Sequence, residues 1–473
     1  MSNTANRIGI AVLVVALVAS CAMLAVGFGR DRTVAGTAVA GSGSVTKPNQ
    51  PDGGGVDPKF VHGTDDGPID RLAATVITDV QDFWRDTFPQ VFGSPWQDID
   101  GGFYSVDTAD PDAEAPPCTD KPSDVEGNAF YCPTADIVAW DRAALLPVLK
   151  ERFGDVAIMV VFSHEIGHAV QRRSGLTLEK QQADPQKYPT ILIESMADCY
   201  AGSFVRWVSD GHAPHLQISK EQLDSAMESL IVFRDPVGTS QTDEGAHGDA
   251  FDRVSAFQDG FTGGPKLCSQ MTVANHKFTQ TAFLRESDQA TGGNMPFNDL
   301  VTQMAPNLDA YFGAVVGQLG KQWPKPTVKP SDNTPACGDA QGPVAFCPST
   351  DEIDVDATDE LRGLHTSIGD YATGTLLASR YGLATLSAAG KPTNGEQAQH
   401  QVLCLAGSYT GALLDTPGQF TLSPGDLDEA VQVLLEVDYA GRDDTGKAMA
   451  TGFDRIDAFR TGVLQGVGSC QVT

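Results

Sequence analysis

The sequence predicts an α+β fold that is dominated by helices and duplicated in tandem. Each half of the chain begins with a long amphipathic helix pattern, at residues 69–88 and at about 296–319. A short strand region flanked by cysteines follows in each half, and two or three further helix patterns come after it. A folded part of about 400 residues is also too large for one core of ordinary size. We therefore expect two domains, at residues 60–285 and 290–473.

Internal repeats support the duplication. Residues 129–134, 199–204 and 251–257 recur as residues 344–349, 404–409 and 453–459, and Val80, Phe83 and Trp84 correspond to Leu308, Tyr311 and Phe312. Chance identity can explain one such pair, but not four pairs in the same order.

The N-terminal segment predicts attachment to a membrane. Residues 8–29 are apolar and uncharged, which is long enough for one membrane span, although the same stretch is also readable as a signal peptide. Residues 18–21 resemble a bacterial lipobox, which would place a lipid on Cys21. The chain stays apolar after Cys21, and this favours an uncleaved anchor over lipidation. We expect an anchor at residues 1–30, a flexible linker at 31–59 and the remainder outside the cytoplasm.

Charge and cysteine content agree with an exported protein. The net charge of −29, with no basic stripe, argues against a nucleic-acid partner. Eight cysteines remain beyond Cys21, an even number that suits disulfides. Structural zinc is the competing use, but no CxxC spacing occurs. The repeat predicts four pairs within the halves: Cys118 with Cys132, Cys199 with Cys268, Cys337 with Cys347, and Cys404 with Cys470.

One helix pattern carries a metal-binding motif. His164, Glu165 and His168 form HExxH, and positions i and i+4 of a helix share a face, so both imidazoles can bind one zinc ion. Gly154 and Gly175 bracket the helix. The motif is short and occurs by chance, so the alternative is a helix with two hydrogen-bonded histidines.

A second helix pattern offers a third ligand. An open catalytic zinc site needs three protein ligands, and Glu194 and Asp198 share one face of a helix downstream. The alternative is an amphipathic helix with two solvated acids. Both acids lie among apolar residues, where an unpaired carboxylate is costly, so we favour a role at the metal.

With these motifs the chain resembles the putative neutral zinc metallopeptidases. The resemblance is carried by residues 129–133, 164–171, 194–202, 246–248 and 251–253, within about 68–268. It implies a zincin-like fold and peptidase activity with one Zn²⁺ bound by His164, His168 and Glu194, and with Glu165 as the general base.

Further roles follow from the same resemblance. The ExxxD pattern of the gluzincin metallopeptidases implies that Asp198 holds a ligand histidine by its other ring nitrogen. His247, in the Ala-His-Gly segment, is the candidate donor to the developing oxyanion, with Tyr200 and Arg253 behind it. We expect His212 and His215 to be solvated loop residues.

The second half is expected to lack the metal site. Matching residues 173–176 with 380–383 places Tyr371, Ala372 and Thr375 at the positions of the HExxH motif, and the shared cysteine places Gln399 and Leu403 at those of Glu194 and Asp198. We therefore expect a silent pseudo-peptidase domain. It either packs against the first copy or shapes a substrate groove, and packing is favoured.

These observations together predict a membrane-tethered extracytoplasmic zinc peptidase that acts on peptides or proteins. The strand region 130–140 is a candidate edge for binding an extended peptide, although an ordinary edge strand is an equal alternative. The rival function is a non-catalytic cell-surface binding or scaffold protein with a vestigial or structural zinc site. The first half keeps all five functional positions and the second half keeps none, which argues against that rival.

Overall fold

The computed structural model describes residues 55–472 except 244, 332–334, 336–338, 358 and 416–419. The expected span at residues 8–29, Cys21 and most of the linker lie outside this part. Among the described residues, no helix is both long and apolar enough to cross a membrane.

The fold is helix-rich with two small sheets, as an α+β protein requires. The chain divides into two compact units, Met1–Gly175 with Ala213–Leu216, and Leu176–His212 with Gln217–Thr473. The domain boundary expected near residues 285–290 stays a prediction.

The first unit combines three helices with a four-stranded sheet. The helices are α1 (Pro68–Phe92), α2 (Leu145–Phe153) and α3 (Asp155–Arg173). The strands are β1 (Val61–His62), β2 (Gly102–Val106), β3 (Ala129–Cys132) and β4 (Ile137–Asp141), in the order β1-β2-β4-β3. The strands β1, β2 and β4 are parallel, and β3 pairs antiparallel with β4 at one edge.

Local sequence explains the two long helices of this unit. Pro68 stands at the first turn of α1, and Gly93 ends that helix in the left-handed conformation, as the capping preferences of these residues favour. The helix α3 follows Gly154, whose φ of 79° suits glycine. Its apolar run Val156–Phe162 is buried, so the motif that follows is carried by a core helix.

The second unit contains eleven helices among the described residues. They are α4 (Leu178–Ala183), α5 (Thr190–Ser209), α6 (Gln222–Val232), α7 (Ala250–Ser269), α8 (Glu286–Thr291), α9 (Phe297–Gln318), α10 (Asp359–Ser367), α11 (Asp370–Ala389), α12 (Glu396–Asp415), α13 (Asp426–Glu436) and α14 (Gly452–Gln465). The strands β5 (Thr327–Ser331), β6 (Val344–Cys347) and β7 (Glu352–Asp356) form its sheet in the order β5-β7-β6, with β5 parallel and β6 antiparallel to β7.

Two helix pairs in the second unit approach backbone to backbone at glycines. A Cβ atom on Gly202 of α5 would lie 1.9 Å from the carbonyl oxygen of Phe257, and one on Gly260 of α7 would lie 1.7 Å from that of Cys199. The pair α12 and α14 repeats this crossing, because a Cβ atom on Gly407 or on Gly462 would lie 1.9 Å from a carbonyl oxygen of the facing helix. Only glycine permits such close contact.

Three of the four predicted disulfides are confirmed. They are Cys118–Cys132, Cys199–Cys268 and Cys404–Cys470. The second links α5 with α7, and the third links α12 with the short 3-10 helix Val467–Cys470 that follows α14. Cys347 is disulfide-bonded, and its predicted partner Cys337 lies outside the described residues.

The helix bounds offer a second way to align the two halves. The helix α11 begins at Asp370 after Gly369, as α3 begins at Asp155 after Gly154, and the interval between these starts equals that between the starts of β3 and β6. This interval places Ser379, Arg380 and Leu383, rather than Tyr371, Ala372 and Thr375, at the HExxH positions. The sequence match gives another alignment because residues 173–176 lie at and just beyond the end of α3, whereas residues 380–383 lie inside α11. Neither correspondence gives the second half a zinc ligand there.

Candidate metal and catalytic site

The buried helix α3 presents two imidazoles side by side. The ring centroids of His164 and His168 are 4.9 Å apart, with their planes at 88°. His164 is only 8% exposed. The arrangement agrees with the helical spacing that the motif predicts.

Gln171, one turn after His168, is a partner that sequence reasoning missed. Its Oε1 lies 3.1 Å from Nδ1 of His168. The tautomer with hydrogen on Nδ1 donates to this oxygen and keeps the lone pair of Nε2 for a metal ion. A signal was present in the sequence, since residues i and i+3 of a helix are neighbours.

Glu165 is held against the edge of the first sheet. Its Oε2 accepts the backbone N–H of Tyr131 at 2.9 Å. Tyr131 lies in β3, so this edge strand turns one of its backbone donors toward the carboxylate rather than toward β4. The proposed base is thereby fixed next to the strand expected to bind a peptide.

A charged cluster that the sequence did not reveal fastens β3 to the end of α3. Asp136 accepts the hydroxyl of Tyr131 at 2.6 Å, and it pairs with Arg172 at 3.1 Å and with Arg173 at 2.8 Å. Burial acts to raise the pKa of Asp136, but Arg173 and Tyr131 outweigh it and lower the pKa to about 2. Residues distant in the chain form this cluster, so no local pattern indicates it.

In the second unit, α5 carries Glu194 and the buried Asp198. Both carboxylate oxygens of Asp198 accept from Arg253, each at 2.8 Å, and this guanidinium also donates to the carbonyl of Phe233 at 2.6 Å. The bidentate pair accounts for a fully buried arginine and assigns Arg253 to holding Asp198 rather than to an oxyanion. The contact of Asp198 with a ligand histidine stays a prediction.

His247 is oriented by Asp235, another residue that the sequence did not single out. The ring nitrogen Nδ1 of His247 lies 3.3 Å from Oδ1 of Asp235. Asp235 Oδ2 accepts the backbone N–H of His247 at 2.7 Å, that of Gly248 at 3.1 Å and the side-chain amide of Gln280 at 3.1 Å. Burial acts to lower the pKa of His247, whereas Glu194 and Asp235 raise it, with a net increase.

Two of the other residues considered for the site have contacts of their own elsewhere in the fold. Tyr200 is 1% exposed, and burial raises the pKa of its hydroxyl. His215 is an exposed loop residue, as expected, and it also pairs with the buried Asp79. Its Nδ1 lies 2.6 Å from Oδ1 of Asp79, and its backbone N–H donates to the same carboxylate.

The predicted ligands have a donor set that suits zinc. Each of His164, His168 and Glu194 offers one donor atom that could hold a metal ion. Two imidazoles and a carboxylate are a known ligand set of catalytic zinc. The residues therefore fit the metal ion that the sequence implies.

Comparison with known proteins assigns the family. The sequence profile of the putative neutral zinc metallopeptidases matches residues 2–272, more than half of the chain. The chain belongs to this family. Membership implies zinc as the metal.

Two curated proteins from Escherichia coli resemble part of this chain. The uncharacterized protein YpfJ of Escherichia coli K12 is 27% identical over 158 residues, which cover 30% of this chain and 53% of the relative. The protein of the same name from Escherichia coli O6:H1 matches to the same extent. The chain thus spans about half the length of these curated relatives. No solved structure matches it.

If the halves are aligned by the strand-to-helix interval and by the shared cysteine, other contacts occupy the positions of the metal site in the second half. Arg380, at the position of Glu165, is buried and donates to Gln341 Oε1 at 2.9 Å, which also accepts the backbone N–H of Phe346 in β6. Gln399, at the position of Glu194, donates to Asp443 at 3.0 Å. An arginine and an amide thus take the places of the base and the third ligand.

A separate group of three buried acids lies at the start of α11. One carboxylate oxygen each of Asp370, Asp426 and Glu429 lies within 4.8 Å of the others. Each acid also accepts a backbone N–H, from Met295 at 2.7 Å, Ser423 at 2.8 Å and Tyr371 at 2.7 Å respectively. Burial raises the pKa of all three, that of Glu429 to about 8. These carboxyls are therefore protonated far more readily than exposed ones.

Proposed function

We propose that this chain is a zinc-dependent peptidase that hydrolyses peptide bonds with the residues of its first half. The observation that carries the proposal is the pair of imidazoles on α3, with Glu165 beside them, in a member of this family. His164, His168 and Glu194 are the proposed ligands of one Zn²⁺ per chain. When bound, zinc polarises a carbonyl oxygen as a Lewis acid and lowers the pKa of water.

Glu165 is the proposed general base. It takes a proton from the attacking water as the oxygen bonds to the scissile carbonyl carbon, and it gives that proton to the amine as the carbon–nitrogen bond breaks. The bond from Tyr131 N–H supports this role, since it holds the carboxylate without neutralising it. His247 is the proposed donor to the oxyanion, and Asp235 keeps its ring oriented.

The strand β3 is the proposed substrate-binding edge. It is the last strand of its sheet among the described residues, and the N–H of Tyr131 on its outer side reaches Glu165. An extended peptide that joined the sheet along β3 would therefore run past the base. An ordinary edge strand with no ligand remains the alternative.

We further propose that the second half is a duplicated, catalytically silent copy of a zincin-like domain. The repeated glycine crossings, the repeated disulfides and the equal strand-to-helix interval support the duplication. Arg380 and Gln399 support the absence of catalysis in this copy, because neither side chain can replace a base or a zinc ligand.

Metal content and turnover test the proposed function. The full chain should bind one zinc ion and cleave a generic unfolded protein, and Glu194→Ala should lose both properties. Gln399→Ala is the matched control in the second half and should change neither. Zinc bound by the wild type without any hydrolysis would favour the rival function, a binding protein with a structural metal.

The proposed location is the outer face of a membrane, with residues 1–30 as the attachment. Export is supported by the disulfides, which persist in oxidising compartments. Labelling with a radioactive fatty acid separates the two modes of attachment. Incorporation that Cys21→Ala abolishes would show a lipoprotein, and no incorporation would favour the uncleaved anchor.

A further inference from the structure

The chain between α6 and α7 carries the pair Asp235 and His247, and it is fastened at both ends. At its start, the carbonyl of Phe233 accepts from Arg253, and the N–H of Asp235 donates to the carbonyl of Gly248 at 3.0 Å. At its end, Asp249 caps α7 by accepting the N–H of Asp252 at 2.8 Å. The position of the His247 ring therefore depends on what holds these two ends.

One carboxylate from the second half touches both ends. Asp428 of α13 accepts the N–H groups of Ala250 at 2.8 Å and Phe251 at 3.3 Å with Oδ1, and its Oδ2 lies 3.2 Å from Nε of Arg234. Arg234 directly precedes Asp235, and Ala250 follows His247 by three residues. Asp428 is 3% exposed, so water competes little for these bonds.

A reciprocal contact, made by Asp224, lies next to a segment that has no histidine at the position of His247. Asp224 of α6 accepts the N–H groups of Gly452 and Phe453, both at 2.8 Å, at the start of α14. The segment before α14 has Met449 in the place of His247. The two aspartates thus make the same capping contact, one beside the proposed catalytic histidine and one beside a methionine.

We propose that Asp428 of the second half is a positioning residue that fixes His247 and Asp235 of the first half for catalysis. The inference rests on the proposed function of His247. Asp428 bridges Arg234 and the first amides of α7, and thereby sets the distance between the two ends of the segment. The second half then contributes to turnover through one buried carboxylate while carrying no ligand or base of its own.

Variants of the two aspartates in the full chain test this proposal. Asp428→Ala should lower kcat about tenfold or more, because small displacements of a catalytic group are costly. Its KM should change by less than about threefold, and its zinc content should stay at the wild-type value. Asp428→Asn keeps an acceptor for the amides but loses the charge opposite Arg234, so an intermediate kcat is expected. Asp224→Ala should lower the melting temperature comparably and leave kcat within about twofold.

Hydrogen exchange keeps the test independent of turnover. The amides of His247 and Gly248, which donate to Asp235, should exchange faster in both Asp428 variants and unchanged in Asp224→Ala. The proposal would be overturned if these amides exchanged at the same rate in all variants. It would also be overturned if Asp428→Ala and Asp224→Ala changed the kcat of an active enzyme equally. A wild type that cleaves nothing but shows the selective exchange would refute the proposed function and leave the positioning contact standing.

Discussion

At the scale of single residues, Glu165 combines two roles that a substitution can separate. Glu165→Gln keeps an oxygen that accepts the N–H of Tyr131, so folding and zinc content should stay near wild type. It removes the base, so kcat should fall by roughly 10²- to 10⁴-fold. Steady-state kinetics with metal analysis checks this expectation. Activity above a few per cent of wild type would show that Glu165 is not the base.

Gln171 gives a second prediction at this scale. Gln171→Leu removes the acceptor next to Nδ1 of His168, so zinc affinity should fall roughly 10- to 100-fold. Gln171→Glu keeps an acceptor and serves as the control, with affinity near wild type. Competition with a chelator measures both affinities, and His168→Ala should lose the metal altogether. Equal affinities of Gln171→Leu and wild type would remove Gln171 from the site.

Residue patterns in the sequence predicted part of the site. His164, Glu165 and His168 follow from helical spacing alone, and Glu194 and Asp198 follow from acids set among apolar neighbours. Asp136, Asp235 and Asp428 could not be found this way, because their partners are far away in the chain. An acid that caps a distant helix has the same local pattern as an acid in solvent.

At the scale of elements, the glycine crossings make a sharp prediction. Gly202→Ala should destabilise the protein by about 2 kcal/mol or more, since its Cβ would overlap the carbonyl of Phe257 in α7. Gly407→Ala should do the same at the crossing of α12 with α14. Gly317→Ala is the control, because that helical glycine is exposed with nothing within 4 Å of its Cβ, and it should be neutral or stabilising by about 0.5–1 kcal/mol. Urea unfolding measures the free energy of unfolding of all three variants. An unchanged value for Gly202→Ala would disprove the close crossing.

The elements also show where sequence reasoning failed. The two long opening helices and the strands beside the cysteines lie where they were predicted, because amphipathic periodicity and the cysteine repeat mark them. The sequence match and the helix starts give different registers for α11, because a helix without polar motif residues has no marker of its register in the sequence. The start of α11 at Asp370, directly after Gly369, defines this register, but only the structure shows that the helix starts there.

At the scale of the whole molecule, buried acids should make stability depend on pH. The pKa of Glu429 is raised to about 8 and that of Asp252 to about 7, both chiefly by burial. Unfolded carboxyls release their protons near pH 4, at about 3.9–4.3. Between about pH 4 and pH 8 the folded chain therefore binds more protons than the unfolded chain. The free energy of unfolding should fall as the pH rises through this range. Urea unfolding across this range should show the fall, and Glu429→Gln should flatten it. A stability that rises with pH in this window would contradict the assignment.

Removing the second half should destabilise the first. Ending the chain near residue 285 deletes Asp428 and the carbonyl of Phe453, which accepts from Gln258 of α7 at 2.9 Å. The N–H groups of Ala250 and Phe251 and the side-chain amide of Gln258 lose these acceptors, and apolar surface that the second half covers becomes exposed. We expect an aggregation-prone fragment with a lower melting temperature. A monomeric fragment with full activity and unchanged heat resistance would refute this expectation.

The reciprocal bonds of Asp224 and Asp428 have the pattern of an isologous dimer, in which each partner gives the other the same group that it receives. Here one polypeptide holds both partners. Such a pairing does not dissociate on dilution, because its effective concentration is set by the connecting chain. In a dimer of identical chains, any substitution appears on both sides at once. If the halves arose by duplication, as proposed, the fusion removed that constraint, and one half could exchange a glutamate for an arginine while the other kept its chemistry.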